Sequence, residues 1–438
     1  MKGEEDLYMY SDVDMLSALQ GLIKIPSISG QNASAEYPYG KEVDDALTYT
    51  LDLSRYLGMR TVKRQRKVAW AEIGQGDHMI AVVPHLDVVP IGEGWNVEPF
   101  GGIIKNGRLY GRGASDNKGP AITCLYAAAD VAEYFGDKIP GRIRIIFGQS
   151  EETGIWSDLD YYREHEELPY AGFTPDAEFP ALCGEKGVLW LELSIPLERS
   201  GLLSFNGGSA CNIVCSQCQA SYFTPSGKIE TLTEEGRAAH ATAPESGINA
   251  ISLLMEQMHP VVKSPLIDFY QAYIGQTCHG EKLGINFEDS LSGQTTVCVG
   301  KISSDDKKIT FTLDIRYPVT CDGSFILTQI TQAAKRYELS LHILKNAAPL
   351  YRSLDDPILK QLMDAYREET GDKGVPIVIG GSTYARALPN IVGFGAAFPG
   401  REHTEHQDDE YIVLEDLFKQ RKIYRNALLR LLGSLESK

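Results

Sequence analysis

The sequence predicts an α/β protein, a mixed sheet flanked by helices, interrupted by an inserted α+β domain. Three observations support this fold class. Amphipathic helical patterns alternate with short apolar strand-like runs towards both ends of the chain. The pattern becomes strand-rich between residues 187 and 350. The chain of 438 residues is also longer than one hydrophobic core usually organises. We therefore expect residues 1–186 and 351–438 to form one domain and residues 187–350 to form the insertion.

The first part of the α/β domain begins with two predicted helices. Ser11 is placed to cap a helix with Val13, Leu16, Leu19 and Leu22 on its apolar face. The predicted elements that follow are a helix over 41–57, a strand over 68–73, a turn over 74–77, a strand over 79–83, a helix over 118–134 and a strand over 142–147.

The inserted domain has a different order of elements. The predicted series is strand 228–238, helix 248–258, strand 295–302, strand 308–317, helix 324–336 and strand 339–345. This β-α-β-β-α-β order describes a ferredoxin-like unit. The α/β pattern then returns with a helix over 357–368, an apolar stretch over 375–379, a strand over 391–394 and a long helix from Leu414.

Composition and charge exclude several classes of function. The net charge of −17 argues against nucleic acid and anionic membrane as partners, because both require a basic face. No apolar run approaches the roughly 20 residues of a membrane-spanning helix. The N-terminal segment carries Glu4, Glu5, Asp6 and Asp12 without an apolar stretch, so we expect no signal peptide. Eight scattered cysteines are typical of reduced thiols, and we expect a cytoplasmic protein.

Five segments rich in histidine and carboxylates lie at the ends of predicted elements, where α/β sheets bind ligands. They are 84–90, 111–120, 150–154, 173–180 and 401–410. Each has an ordinary structural alternative, such as a helix-capping aspartate or a solvated turn. Taken together, two histidines and three carboxylates with one spare glutamate fit two divalent metals and a general base.

Several longer motifs resemble a known family. They are His85-Leu-Asp-Val-Val-Pro90 with Gly94-Trp95, the 173–180 segment with Gly184-Glu-Lys-Gly187, and Thr383-Tyr-Ala-Arg386. These resemble the di-zinc metallopeptidases related to aminoacylase and carboxypeptidase G, and within them the peptidase V branch of bacterial dipeptidases. The resemblance covers nearly the whole chain. It implies a zinc-peptidase catalytic domain with the insertion as a lid.

The resemblance also implies roles for residues in the α/β domain. His85 and His406 would each bind one metal, Asp116 would bridge both, and Glu152 and Asp176 would complete the two sites. Glu151 would be the general base, Asp87 would orient His85, and the peptide bond after Asp116 would be cis. His403 is a neighbouring candidate for the role of His406, which we prefer for its His-Gln-Asp-Asp-Glu context.

Further residues are expected to contact the substrate. In the lid, the resemblance implies that His240 stabilises the oxyanion, that Asn212 contacts the substrate and that Arg316 binds its terminal carboxylate with the guanidinium fork. Ser382 and Thr383 are the remaining expected contacts. Catalysis would then require the lid to close over the metal-binding domain.

The function predicted from this set is metal-dependent hydrolysis of dipeptides. Two divalent ions are expected, with zinc first and manganese or cobalt able to serve in the same mixed ligand set. We expect a small dipeptide substrate and a monomer, with a dimer left open. Two alternatives are an N-acyl-amino-acid deacylase or desuccinylase on the same metal core and a catalytically silent peptide-binding homologue.

Overall fold

A computed structural model describes residues 9–436 of the chain and divides them into two compact units. The α/β unit comprises residues up to Cys183, Arg352–Ile377 and Ser382 onwards, and the inserted unit comprises Gly184–Tyr351 and Val378–Gly381. The sequence places the boundaries at 186/187 and 350/351 and assigns the segment 378–381 to the α/β domain. The first eight residues, on which much of the signal-peptide expectation depends, lie outside the described range.

The α/β unit is built on a mixed five-stranded sheet. Its strands are Arg60–Arg64, Val68–Val82, Pro140–Phe147, Ala171–Thr174 and Ile391–Gly393. The last two pair in parallel with each other, and Ala171–Thr174 also pairs in parallel with the end of Val68–Val82. The helices are Asp12–Ile23, Lys41–Tyr56, Lys118–Phe135, Ser157–His165, Pro357–Thr370 and Leu414–Glu436. Short strands of this unit are Ile103–Lys105, Arg108–Tyr110, Ala177–Glu178, Ala396–Ala397 and Tyr411–Val413.

The first helix begins where the sequence predicts but turns a different face inward. Ser11 caps it through a capping box with Asp14. Val13 is 74% exposed, whereas Met15 and Leu19 are fully buried. The predicted position of Val13 on the buried face is therefore wrong, because with about 3.6 residues per turn Val13 lies on the opposite side of the helix from Met15 and Leu19.

The predicted turn at 74–77 is a reversal of the chain direction. The strand Val68–Val82 has an exposed middle that separates two buried halves running in opposite directions. Residues 69–74 run antiparallel to Pro140–Phe147 and residues 79–82 run parallel to it, so that Gly74 and Met79 each lie opposite Arg142. Gly74 has a φ of +91°, and a Cβ there would lie 2.3 Å from the carbonyl oxygen of Gly141, so this position requires glycine.

The inserted unit has a seven-stranded sheet. In spatial order its strands are Ile229–Glu235, Gln217–Phe223, Ser204–Gly207, Thr296–Ser304, Lys308–Tyr317, Gly187–Pro196 and Ser340–Ala347. Its helices are Leu197–Ser200, Ala250–Met258, Pro265–Tyr273 and Gly323–Arg336. The last four strands of the order form the 2-3-1-4 arrangement of a ferredoxin-like unit.

The first strand of that unit is not the one predicted. Gly187–Pro196 occupies the place that the sequence analysis gives to 228–238. Alternate residues of Gly187–Pro196 are buried, as in a strand with one face on a core, whereas Ile229–Glu235 is almost wholly exposed. The strand Ile229–Glu235 pairs with Gln217–Phe223 and only extends the edge of the sheet.

The chain passes from one unit to the other within two short strands, Leu182–Glu185 and Ile377–Ile379. Within residues 9–436, no helix is both long and apolar enough to cross a membrane.

Candidate metal centre

The candidate site is assembled where strands of the α/β sheet end. His85 follows Val68–Val82, Glu151 follows Pro140–Phe147, and Asp176 follows Ala171–Thr174. His85 also forms a bridge with Gly148, which brings the His85 segment beside the turn that carries Glu151. The carboxyl ends of neighbouring strands thus meet at one edge of the sheet, as in other α/β folds.

Two histidines approach opposite oxygens of one carboxylate. His85 Nε2 lies 2.9 Å from Asp116 Oδ1, and His406 Nε2 lies 3.0 Å from Asp116 Oδ2. Asp176 Oδ1 is 3.5 Å from His85 Nε2, and Glu152 Oε2 is 3.1 Å from His406 Nε2. The cluster therefore has two halves that share Asp116.

Asp87 lies behind this cluster, fully buried. Its Oδ1 is 3.4 Å from His85 Nδ1, so it lies on the far side of the ring from Asp116. Its two oxygens also accept the backbone N–H groups of Glu151 and Glu152 at 3.2 and 3.1 Å. His85 Nδ1 donates to the backbone carbonyl oxygen of Asp87 at 2.9 Å, so Asp87 holds the ring through its main chain and the adjacent glutamates through its carboxylate. The Asp116–Asn117 peptide is cis, as expected.

Glu410 is a residue that the sequence analysis did not single out. It is fully buried, and its oxygens accept the backbone N–H groups of Gly113, Ser115 and Asp116 at 2.9–3.1 Å. Arg112 pairs with it at 2.8 Å and also donates to the carbonyl oxygen of Gln407. The Asp116 loop and the His406 segment are therefore joined through one buried ion pair. The signal was present in the acidic run at 408–410, but sequence alone does not distinguish a buried acid there from its solvated neighbours.

Asp158 is a second missed residue, and it supports the turn of the two glutamates. It is buried and accepts hydrogen bonds from the backbone N–H of Gln149 and the hydroxyl of Ser150. The hydroxyl of Tyr384 donates to it at 2.9 Å. Tyr384 also lies edge-on to the His85 ring, with centroids 6.3 Å apart.

The electrostatics of the cluster reflect buried like charges. Burial and the charge of Asp176 raise the pKa of Glu151 well above its ordinary value. Burial and the charge of Asp116 raise the pKa of Glu152 to about 7. Burial opposes protonation of His406, but Glu152 and Asp116 outweigh it and raise its pKa to about 12. These shifts indicate that the carboxylates need positive charge beside them to be ionised together.

The donor set fits divalent metal ions. His85, Asp116 and Glu152 offer ligand atoms within 4.8 Å of one another, and so do His85, Glu151 and Asp176. Glu152 Oε1 is buried and has no hydrogen-bond partner among the described residues, as expected of an oxygen placed for a cation. Imidazole nitrogens with carboxylate oxygens suit zinc, manganese and cobalt alike. Glu151 belongs to one of these groups, so its geometry is compatible with a ligand as well as with a base.

The predicted lid residues lie in the inserted unit. The segment of Asn212 pairs with that of His240, since the N–H of Ala241 donates to the carbonyl oxygen of Asn212 at 2.9 Å. Arg316 Nε and Nη2 donate to the two carboxylate oxygens of Asp314 at 2.6 and 2.7 Å. Arg316 Nη1 donates to the carbonyl oxygen of Gly380. The roles of these three residues stay predictions.

Ser382 and Thr383 lie in the α/β unit. Ser382 Oγ is buried and has no hydrogen-bond partner within the described part of the chain. Thr383 accepts the backbone N–H of Ala385 and begins the short helix Tyr384–Arg386. Their proposed contacts with substrate also stay predictions.

A mixed α/β sheet that ends in a cluster of imidazoles and carboxylates is a candidate metal-binding centre of an enzyme. The chain belongs to peptidase family M20/M25/M40, whose sequence pattern matches residues 81–430. This confirms the resemblance to metallopeptidases and the prediction of an enzyme.

Named relatives agree with the family over almost the whole chain. The protein called Putative dipeptidase YtjP of Bacillus subtilis is 34% identical, with 95% of this chain and 97% of that protein covered. Putative dipeptidase SH1171 of Staphylococcus haemolyticus is 32% identical over the same shares.

Solved structures confirm the predicted fold class. Human carnosine dipeptidase 1 has a TM-score of 0.64 at 15% identity, with 96% of both chains covered. A metallo-carboxypeptidase of the M20 family from Sulfolobus solfataricus has a TM-score of 0.63 at 18% identity, with 96% of this chain and 99% of that one covered.

Proposed function

We propose that this protein hydrolyses dipeptides, using two divalent metal ions, with zinc as the first expectation. The observation that carries the proposal is the shared carboxylate of Asp116, which has an imidazole on each oxygen. The names of the relatives from Bacillus and Staphylococcus support dipeptides as the substrate class.

The chain offers a ligand set for each ion. His85 and Asp176 would hold one ion, His406 and Glu152 would hold the other, and Asp116 would bind both. Ions bound there supply Lewis-acid activation of water and of the scissile carbonyl. Asp87 would orient the His85 ring, because its backbone carbonyl oxygen accepts from Nδ1 at 2.9 Å and its carboxylate lies 3.4 Å from the same nitrogen.

Glu151 is proposed as the general base. Burial is the first cause of the raised pKa of Glu151 in the metal-free protein, and a desolvated carboxylate accepts a proton more readily than a solvated one. Glu151 would take a proton from the attacking water and deliver it to the leaving amine. The hydrogen bond from its backbone N–H to Asp87 holds the residue beside His85 while the proton moves.

Residues outside the metal cluster are proposed to bind the substrate. His240 would donate to the oxyanion, where one well-placed donor is worth about 3 kcal/mol. Asn212, Ser382 and Thr383 would contact the peptide, and the unpartnered hydroxyl of Ser382 supports its part in this. Arg316 would bind the terminal carboxylate of the substrate. Its guanidinium group would have to release the Asp314 carboxylate to do so.

A substrate comparison tests the proposal. The purified protein, reconstituted separately with zinc, manganese or cobalt, is assayed against free dipeptides and the same dipeptides carrying an N-acetyl group. We expect hydrolysis of the free dipeptides and little of the acetylated ones. Preference for the N-acyl compounds would instead indicate a deacylase. Tight dipeptide binding without hydrolysis by any metal-loaded form would indicate a silent binding protein.

A further inference from the structure

A second group of metal-ligand residues lies in the inserted unit, remote in sequence from the residues of the metal centre. Glu245, Cys278 and His279 offer ligand atoms that all lie within 4.8 Å of one another. Glu245 belongs to the short helix Pro244–Ser246, and the other two residues lie in the loop after Pro265–Tyr273. A thiolate, an imidazole and a carboxylate on two separate segments form a donor set that zinc and cobalt accept, with solvent as a fourth ligand.

The imidazole of this group is already oriented. His279 Nδ1 lies 2.9 Å from the carbonyl oxygen of Thr295. Because a carbonyl oxygen can only accept, Nδ1 must carry the proton, and the neutral ring then presents the lone pair of Nε2. Metal-binding histidines are fixed in the same way, by a hydrogen bond from the nitrogen that does not bind the metal.

The backbone also holds the two segments in place. Three consecutive residues connect them: Thr295 accepts from His279, the hydroxyl of Thr296 donates to Ala241, and the N–H of Val297 donates to Cys278. The turn 240–246 and the loop 278–279 are therefore both fastened to the start of one strand, and the ligand geometry does not depend on flexible side chains alone.

The local charge favours a cation. Burial and then the carboxylates of Glu245 and Glu281 raise the pKa of the Cys278 thiol. The charge of Glu245 acts on the Lys186 ammonium, which donates to the carbonyl oxygen of Gln294 at 2.5 Å.

We propose that Glu245, Cys278 and His279 form a third metal site, separate from the peptidase centre, which binds zinc or a similar borderline cation. A bound ion would join the loop 278–279 to the turn that begins at His240. The proposal does not depend on the peptidase reaction, because its residues and its readout are different.

Cobalt spectroscopy tests the site on the intact protein. A thiolate bound to Co²⁺ gives a sulfur-to-metal charge-transfer band in the near ultraviolet. The proposed ligands of the peptidase centre include no cysteine; they are His85, Asp116, Glu152, Asp176 and His406. We expect this band in the wild type and its loss in Cys278→Ala, together with a fall from three to two bound ions per chain. Cys321→Ala, which removes a partly buried cysteine of the same unit, should keep the band.

A second variant tests the same site with a smaller risk of misfolding than Cys278→Ala. Glu245 is exposed, so Glu245→Gln should leave the fold intact and weaken Co²⁺ binding at the thiolate site at least tenfold. Zinc added in competition should remove the band. Absence of the band from the wild type, its persistence in Cys278→Ala, or unchanged cobalt affinity in Glu245→Gln would each overturn the proposal.

Discussion

The two units of the molecule differ in the kinds of residue that they bury. At the edge of its sheet the α/β unit buries ionisable groups, among them His85, Asp87 and Glu410. The interior of the inserted unit is an apolar cluster in which residues such as Leu254, Phe269 and Leu313 are fully buried. Buried charges without compensating partners oppose folding, whereas buried apolar surface favours it. We therefore expect changes in the first region to alter chemistry and metal binding, and changes in the second to alter stability alone.

The largest expected effect is that of Glu151→Gln. Removal of the general base should lower kcat by about 10²- to 10⁴-fold. Metal content should not change, because the proposed ligand sets do not include Glu151. The measurements are steady-state kinetics and metal analysis on the same preparation.

A matched control variant shows whether the effect is specific to Glu151. Glu415→Gln makes the same chemical change at an exposed position and should leave both quantities unaltered. Loss of metal from Glu151→Gln would show that Glu151 is a ligand, which its position beside His85 and Asp176 also permits. Substantial residual turnover with metal retained would exclude it as the base.

The next effect in size concerns Glu410→Gln. The neutral amide leaves Arg112 without its buried partner and weakens the hold on the Asp116 loop. We expect metal affinity to fall by about 10- to 100-fold, as for other residues that support metal ligands. Titration calorimetry of the chelated protein measures this. Glu402→Gln, at an exposed acid on the same segment, is the control, and equal affinities in the two variants would contradict the positioning role.

The pH dependence of stability tests the carboxylate cluster of the α/β unit. In the metal-free protein, burial and Asp116 raise the pKa of Glu152 from 4.5 to about 7. Between these values the folded protein holds a proton that the unfolded chain has released. The associated stability is therefore present below pH 4.5 and is lost as the pH rises to about 7.

Thermal unfolding of the chelated protein should accordingly show a Tm that falls from pH 5 to pH 7. The metal-loaded protein should not show this fall, because metal binding strengthens as its ligands lose protons. Glu152→Gln should flatten the slope in the metal-free protein. A Tm of the chelated wild type that rises over this range would contradict the assignment.

The smallest expected effect on the chemistry is that of a core substitution in the inserted unit. Leu313→Ala, in the strand Lys308–Tyr317, should lower the free energy of unfolding by about 2–5 kcal/mol. The metal content of the peptidase centre should stay the same at temperatures where the variant is folded. Denaturant unfolding and metal analysis check both, and loss of that metal from the folded variant would break the distinction between the units.

Sequence reasoning succeeded where one local signal determines the structure. The strand Lys308–Tyr317 has the predicted bounds because its alternating apolar residues have a clear period. The turn predicted at 74–77 also agrees with the structure, because Gly74 and Gly76 have positive φ where the chain reverses direction. Sequence reasoning missed Gly187–Pro196, whose place beside Lys308–Tyr317 depends on long-range pairing.

The candidate site shows the same limit. His85, Asp116 and His406 could be selected from motifs, and the structure brings them together. Glu410 and Asp158 could not, because each is one acid among several in its segment and its function depends on which backbone N–H groups it meets. Residues that support a site are recognised by burial and hydrogen bonding, which the sequence does not record.

The central claim, a peptidase centre that works with two ions, is tested most directly by metal reconstitution. The chelated Cys278→Ala protein, which lacks the proposed third site, is titrated with zinc while the hydrolysis of a dipeptide is followed. We predict no activity without metal and a plateau at two ions per chain. Activity that survives chelation, or that reaches its plateau at one ion per chain, would contradict the account.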